Sequence, residues 1–85
     1  MKEFTYTITD PIGFHARPAG LLVKKVKEYA CEITISCEGK SSSAKKLFGI
    51  MGMGIKNGQT VTVTVEGEDE ENVAAELETF FKENA

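Results

Sequence analysis

The sequence predicts an α+β fold, an open-faced βαββαβα sandwich whose four-stranded, mainly antiparallel sheet is covered by helices on one face. Three observations carry that prediction. Apolar and polar residues alternate in several short stretches, the period of half-buried strands. Apolar residues recur at helical spacing behind Pro18 and again after Asp69. Turn formers, Glu38-Gly39 and Asn57-Gly58, separate these stretches without any long linker, repeat or low-complexity tract.

The elements follow in order. Phe4, Tyr6 and Ile8 alternate with Glu3, Thr5 and Thr7 and predict a first strand. Ala19, Leu22, Val23, Val26 and Ala30 set the apolar side of a helix over residues 16–28, with Pro18 in its first turn, where a missing N–H costs nothing. Residues 32–37 form a second strand, and a tight turn leads to a short third strand at 40–43. Leu47, Phe48, Ile50 and Met51 predict a brief helix that Gly49, Gly52 and Gly54 weaken and limit. Val61, Val63 and Val65 alternate with Thr60, Thr62 and Thr64 in a fourth strand. Asp69 is placed to cap the last helix, Glu70 and Glu71 put negative charge in its first turn, and Val73, Ala74, Leu77, Phe80 and Phe81 make its apolar stripe.

With 85 residues, 41% of them hydrophobic and 27% charged, one small domain spanning 1–85 is expected. No stretch approaches the roughly 18 apolar residues of a membrane span. The first residues lack the apolar segment of a secretory signal, so a cytoplasmic location is the expectation. Cys31 and Cys37 share one strand face with Ile33 and Ile35, about 20 Å apart, too far for a disulfide. They read as free, buried thiols, and with one histidine in the chain neither a metal site nor a cofactor is expected.

Charge is segregated. Residues 11–57 hold eight basic and three acidic side chains, whereas residues 58–85 hold one basic and eight acidic. The net charge of −3 argues against nucleic acid as a partner, and the size and mixed surface against anything beyond a monomer. A basic front at Arg17, Lys24, Lys27, Lys45 and Lys46 suits an acidic protein surface. Lys24, Lys25 and Lys27 also complement the C-terminal end of their own helix.

The single histidine, His15, lies in Gly13-Phe14-His15-Ala16-Arg17-Pro18-Ala19-Gly20, at the start of the first helix. Free N–H groups and the positive end of the dipole make that place an anion site, to which Arg17 adds a planar cationic fork. Both disfavour imidazolium, so a neutral His15 is expected, able to attack phosphorus while the pocket holds the phosphoryl oxygens. An ordinary surface or capping histidine is the competing reading. The segment Leu47 to Met53 is the second candidate site: Ile50 and Met51 are suited to packing on the sheet, while Leu47 and Phe48 are expected outside, as an adaptable docking patch.

Taken together, Gly13-Phe14-His15-Ala16-Arg17-Pro18-Ala19, Gly39-Lys40-Ser41-Ser42-Ser43-Ala44-Lys45 and Leu47-Phe48-Gly49-Ile50-Met51-Gly52-Met53-Gly54-Ile55 resemble the signatures of the HPr family, histidine phosphocarriers of the bacterial sugar phosphotransferase system. Gly67-Glu68-Asp69-Glu70 is similar to that family's entry to its last helix, and the likeness runs over essentially the whole chain. It implies a carrier and not an enzyme in its own right. Enzyme I passes a phosphoryl group to Nδ1 of His15, and His15 passes it to a sugar-specific enzyme IIA. Arg17 and the backbone at Ala16 hold the phosphoryl group. Gly20, Lys24, Lys27, Lys46, Leu47, Phe48 and Met51 meet the partners.

Two positions depart from the family pattern. Lys46 stands where many relatives carry a regulatory serine, so phosphorylation at that position is impossible here. Ile12 stands where a small polar residue is usual near the active site. These departures leave a second reading in place, a regulatory paralogue that binds partner proteins without serving sugar transport. Lys46 is expected to keep the surface permanently attractive to acidic partners. Lys46→Ser should weaken binding to enzyme I by roughly two- to fivefold, the worth of one exposed charge contact, and flatten its salt dependence. Titrations at two ionic strengths check this.

Overall fold

In the computed structural model, which describes residues 1–14 and 16–84, the alternating stretches become four strands: β1 (Lys2–Thr7), β2 (Glu32–Cys37), β3 (Lys40–Ser43) and β4 (Thr60–Glu66). The helical stretches become α1 (Ala16–Val26), α2 (Leu47–Gly52) and α3 (Glu70–Asn84). The strand order is β1-β4-β2-β3, and every pairing is antiparallel.

The period of two divides the sheet into an apolar and a polar face. Val63 of β4 lies opposite Phe4 of β1 and Ile35 of β2, and Val65 lies opposite Ile33. Together with Val61, these residues face α1 and α3, whose buried stripes are Pro18, Ala19, Leu22, Val23 and Val26, and Val73, Leu77, Phe80 and Phe81. The opposite face is a carpet of hydroxyls. Thr5, Thr62, Ser36 and Ser41 form one rank across all four strands, and the hydroxyls of Thr7 and Thr60 lie 3.0 Å apart. Among the described residues no polar or charged residue is buried.

The core has an aromatic centre. The Phe81 ring is fully buried and meets four others: Phe14 stacked at 5.6 Å, Tyr6 at 5.8 Å, and Phe80 and Phe4 edge-on at 5.9 and 6.0 Å. Cys31 and Cys37 are buried free thiols, the former donating to the Glu68 carbonyl at 2.7 Å. Burial, and then the charge of Glu38, pushes the Cys37 thiol above its usual range.

Three details differ from expectation. α1 ends at Val26, because Glu28 and Tyr29 bond back to the carbonyls three residues earlier and tighten the chain out of the helix. Ala30 is therefore an exposed loop residue. Asp69 precedes α3 with a left-handed backbone (φ 61°), and its carboxylate accepts from the Asn72 side-chain amide at 2.7 Å rather than from a backbone N–H. The α3 start is instead tied by Glu70, which pairs with the Met1 α-amino group and accepts from the Gly67 N–H. Those two contacts hold its carboxyl below the usual range.

Phe81→Ala should remove the common partner of four rings and lower stability by about 3–5 kcal/mol. The urea midpoint should fall with little change in slope, read by far-ultraviolet circular dichroism.

Candidate functional site

The chain reaches α1 through a turn that its own atoms lock. The Asp10 carboxylate accepts the Ile12 N–H at 2.9 Å, and the Asp10 carbonyl accepts the Gly13 N–H at 2.9 Å and the Asn57 side-chain amide at 3.1 Å. Gly13 has φ 86°, and a Cβ there would stand 2.7 Å from the Ile55 carbonyl oxygen, so only glycine fits. Phe14 then donates its N–H to that carbonyl at 3.0 Å and lays its ring on Phe81. His15 lies outside the described residues. Ala16 and Arg17, which open α1, are exposed.

Arg17 lines an open cleft of about 370 Å³ with Asp10, Ile12, Pro18, Leu21, Glu83 and Asn84. Lys24 and Lys27 continue along the exposed side of α1 and beyond its end. Gly20, half-buried one turn before Lys24, leaves open space where a side chain would begin. α2, which follows Lys46 and carries Leu47, Phe48 and Met51, packs against α1.

Within α2 the helical period separates two faces. Ile50 is buried and Leu47, one turn earlier, packs half-buried against the core. Phe48 is 86% exposed, and Met51, three residues on, 43% exposed. The expectation that Leu47 projects outward is corrected, since its spacing of three from Ile50 commits it to the inner face. Met51 correspondingly faces out, away from the sheet. Lys45 also leaves the basic front: it is half-buried, and its ammonium donates to the Tyr29 carbonyl at 3.3 Å. Lys46 precedes α2 in extended conformation without a side-chain capping bond, and no acidic residue follows in the first turn.

Among the described residues no group of three histidine, cysteine or acidic side chains is placed to hold a metal. Among the described residues no helix is long and apolar enough to cross a membrane. Sequence reasoning missed Leu21, Asp10, Glu83 and Asn84 as neighbours of Arg17. Leu21 was signalled by its spacing of four from Arg17, whereas nothing local in the sequence ties the end of α3 to the start of α1.

Residues 2–83 match a family model described as the PTS HPr component phosphorylation site. The chain belongs to the HPr family. It is similar to the phosphocarrier protein HPr of Lysinibacillus sphaericus, with 41% identity over 83 residues that span 98% of this chain and 94% of that one. To the phosphocarrier protein HPr of Borreliella burgdorferi it is 49% identical over 65 residues, 76% of each chain. A crystal structure of HPr from Thermoanaerobacter tengcongensis superposes with a TM-score of 0.91 at 34% identity, covering 99% of this chain and 94% of the other. The open-faced sandwich is thus the fold of HPr, and the chain is a member of a phosphocarrier family.

The glycines of this HPr chain separate by environment. Gly13→Ala should destabilise it by about 1–3 kcal/mol, through the positive φ and the collision with Ile55. Gly20→Ala, in open space within a helix, should stabilise it by about 0.5–1 kcal/mol. Thermal melts of the two variants side by side check both signs.

Proposed function

We propose that this chain carries phosphoryl groups between proteins, with His15 as the carrying residue. Phospho-enzyme I presents a phosphoryl group; its P–N bond breaks as Nδ1 of His15 forms a new one. The same exchange then charges a histidine of a sugar-specific enzyme IIA, and the group moves on toward sugar uptake. The observation that carries the reading is the family match across residues 2–83, which includes the whole Gly13 to Ala19 signature.

The surroundings support it. The locked turn at residues 10–14 and the start of α1 at Ala16 bracket the carrying position with rigid backbone on both sides. Arg17 is exposed and, among the described residues, makes no ion pair, so its guanidinium is available to phosphoryl oxygens with the N–H groups that open α1. Charge is thereby stabilised by fixed dipoles and one cation, a role that needs no cofactor.

Lys24, Lys27 and Lys46 are exposed, as are Phe48 and Met51, and they lie on or next to two helices that pack together. Such a surface steers acidic partners quickly and releases them quickly, as a relay requires. Together with Gly20, these residues form the partner face, and the half-buried Leu47 supports it from beneath. The protein works in this reading as a cytoplasmic monomer of one domain, and its turnover depends on its partners.

Incubation with phosphoenolpyruvate and catalytic enzyme I should add one acid-labile phosphoryl group, seen by intact mass and assigned to Nδ1 by ³¹P NMR. His15→Ala should abolish it. Failure of several enzymes I to phosphorylate the unsubstituted chain would overturn the reading in favour of a paralogue that only binds partners.

A further inference from the structure

We propose that Asn57-Gly58 is a site of spontaneous covalent modification, where Asn57 loses its side-chain amide and with it the bond that ties this loop to the turn before α1. The reaction needs no partner protein and does not depend on the carrier reading.

Lys56 to Gln59 form a tight turn, closed by the Gln59 N–H on the Lys56 carbonyl at 3.1 Å. Asn57 and Gly58 are its central residues, both exposed, and Gly58 has φ 86° with nothing within 4 Å of where a side chain would begin. The Gly58 backbone nitrogen can therefore attack the Asn57 side-chain carbonyl carbon unshielded. The new C–N bond closes a succinimide ring, the C–N bond to the amide breaks, and ammonia leaves with the proton from the Gly58 nitrogen. Water, the only co-reactant, then opens the ring at either carbonyl and leaves aspartate or isoaspartate at position 57. The other two asparagines lack this combination. Asn72 precedes the β-branched Val73, whose N–H is bonded to the Asp69 carbonyl at 3.0 Å. Asn84 precedes alanine, and its amide donates to the Phe80 carbonyl at 3.0 Å.

In the closed fold both reacting groups are held. The Gly58 N–H donates to the Ile8 carbonyl at 2.8 Å, and the Asn57 amide donates to the Asp10 carbonyl at 3.1 Å. The reaction is thus gated by local opening of this loop, and an exposed loop-to-loop bond such as that of Asn57 is among the first to open. Opening is resisted by the seat of Gly13, where an added Cβ would stand 2.7 Å from the Ile55 carbonyl oxygen and 3.2 Å from the Asn57 nitrogen. The product cannot close the clasp again. A carboxylate at position 57 has no N–H to give the Asp10 carbonyl and sets negative charge against that oxygen. Isoaspartate also lengthens the backbone of the turn. The Asp10 carbonyl accepts the Gly13 N–H as well, so the lost bond belongs to the turn that leads into α1.

The test is incubation of the intact folded chain over weeks at physiological temperature and pH, followed by peptide mass mapping and enzymatic isoaspartate methylation. The expected result is a gain of about one dalton confined to the peptide that carries Asn57, with isoaspartate formed there and Asn72 and Asn84 intact. The gain should be at least roughly tenfold slower than in the urea-unfolded chain, and Gly13→Ala should speed it at least roughly fivefold by loosening the loop. Urea below the unfolding transition gives the same readout without a substitution. Asn57→Gln, whose longer side chain closes the ring poorly, should abolish the gain. Asn57→Asp, the product itself, should melt roughly 2–6 °C lower. Absence of the gain in the folded chain while the unfolded chain reacts overturns the proposal, as does a gain at Asn72 or Asn84 in its place. Equal rates in the folded and unfolded chains overturn the gate, and unchanged melting of Asn57→Asp overturns the link to the turn.

Discussion

The placement of the site depends on one contact, the stacking of Phe14 on Phe81. Phe81 comes from the last helix and Phe14 from the turn before the first, so their rings join regions far apart in sequence. Once that contact forms, the Phe14 N–H is delivered to the Ile55 carbonyl, and Gly13 is pressed against the same strand of backbone. The first turn of α1 inherits its position from this clamp. The phosphoryl site proposed at this helix start would need its N–H groups aimed within a fraction of an ångström, and a hydrophobic contact behind it supplies rigidity at no electrostatic cost.

The same economy appears in α2. Six residues are too few to form a stable helix alone, and Lys46 offers no cap. The helix exists because Ile50 and Leu47 are held by the core, and the consequence is that Phe48 and Met51 are held out. Burial on one side of so short an element dictates presentation on the other. The exposure of Phe48 and Met51 is therefore a property of the scaffold, set by how α2 is seated on the core and against α1.

Most of the fold was legible in the sequence because its strands alternate cleanly and its helices carry long stripes. The valines of β4 and the Cys31 to Cys37 run left little choice of face, and the residue limits of β2 and β3 were readable from the turn between them. Legibility failed where a tertiary contact overrode a local signal. Leu47 sits in a run apolar on nearly every side, and only the depth of Ile50 decides which way it points. Lys45 looked like one more surface cation, yet the carbonyl left free at Tyr29 by the tightened end of α1 claims it. Asp69 had the composition of a cap without the backbone for it, since a left-handed residue aims its carboxylate elsewhere. At the site, the motif around position 15 was plain from residue types alone. The neighbourhood of Arg17 was not, because Glu83 and Asn84 arrive from the far end of the chain.

The margins of the sheet have a consequence of their own. β1 and β3 are its edges, each with a row of unpaired backbone groups that in principle could recruit another chain. β3 is only four residues long and opens with Lys40; β1 opens with Lys2, whose ammonium pairs with Glu71, beside an amino terminus fastened to α3. Between the edges the open face offers hydroxyls and the carboxylates of Glu32 and Glu66 in place of grease. Growth by strand addition thus meets a short, charged margin on one side and an anchored one on the other. The exposed Phe48 and Met51 can then sit on the helical side without the sheet margins adding a second adhesive surface.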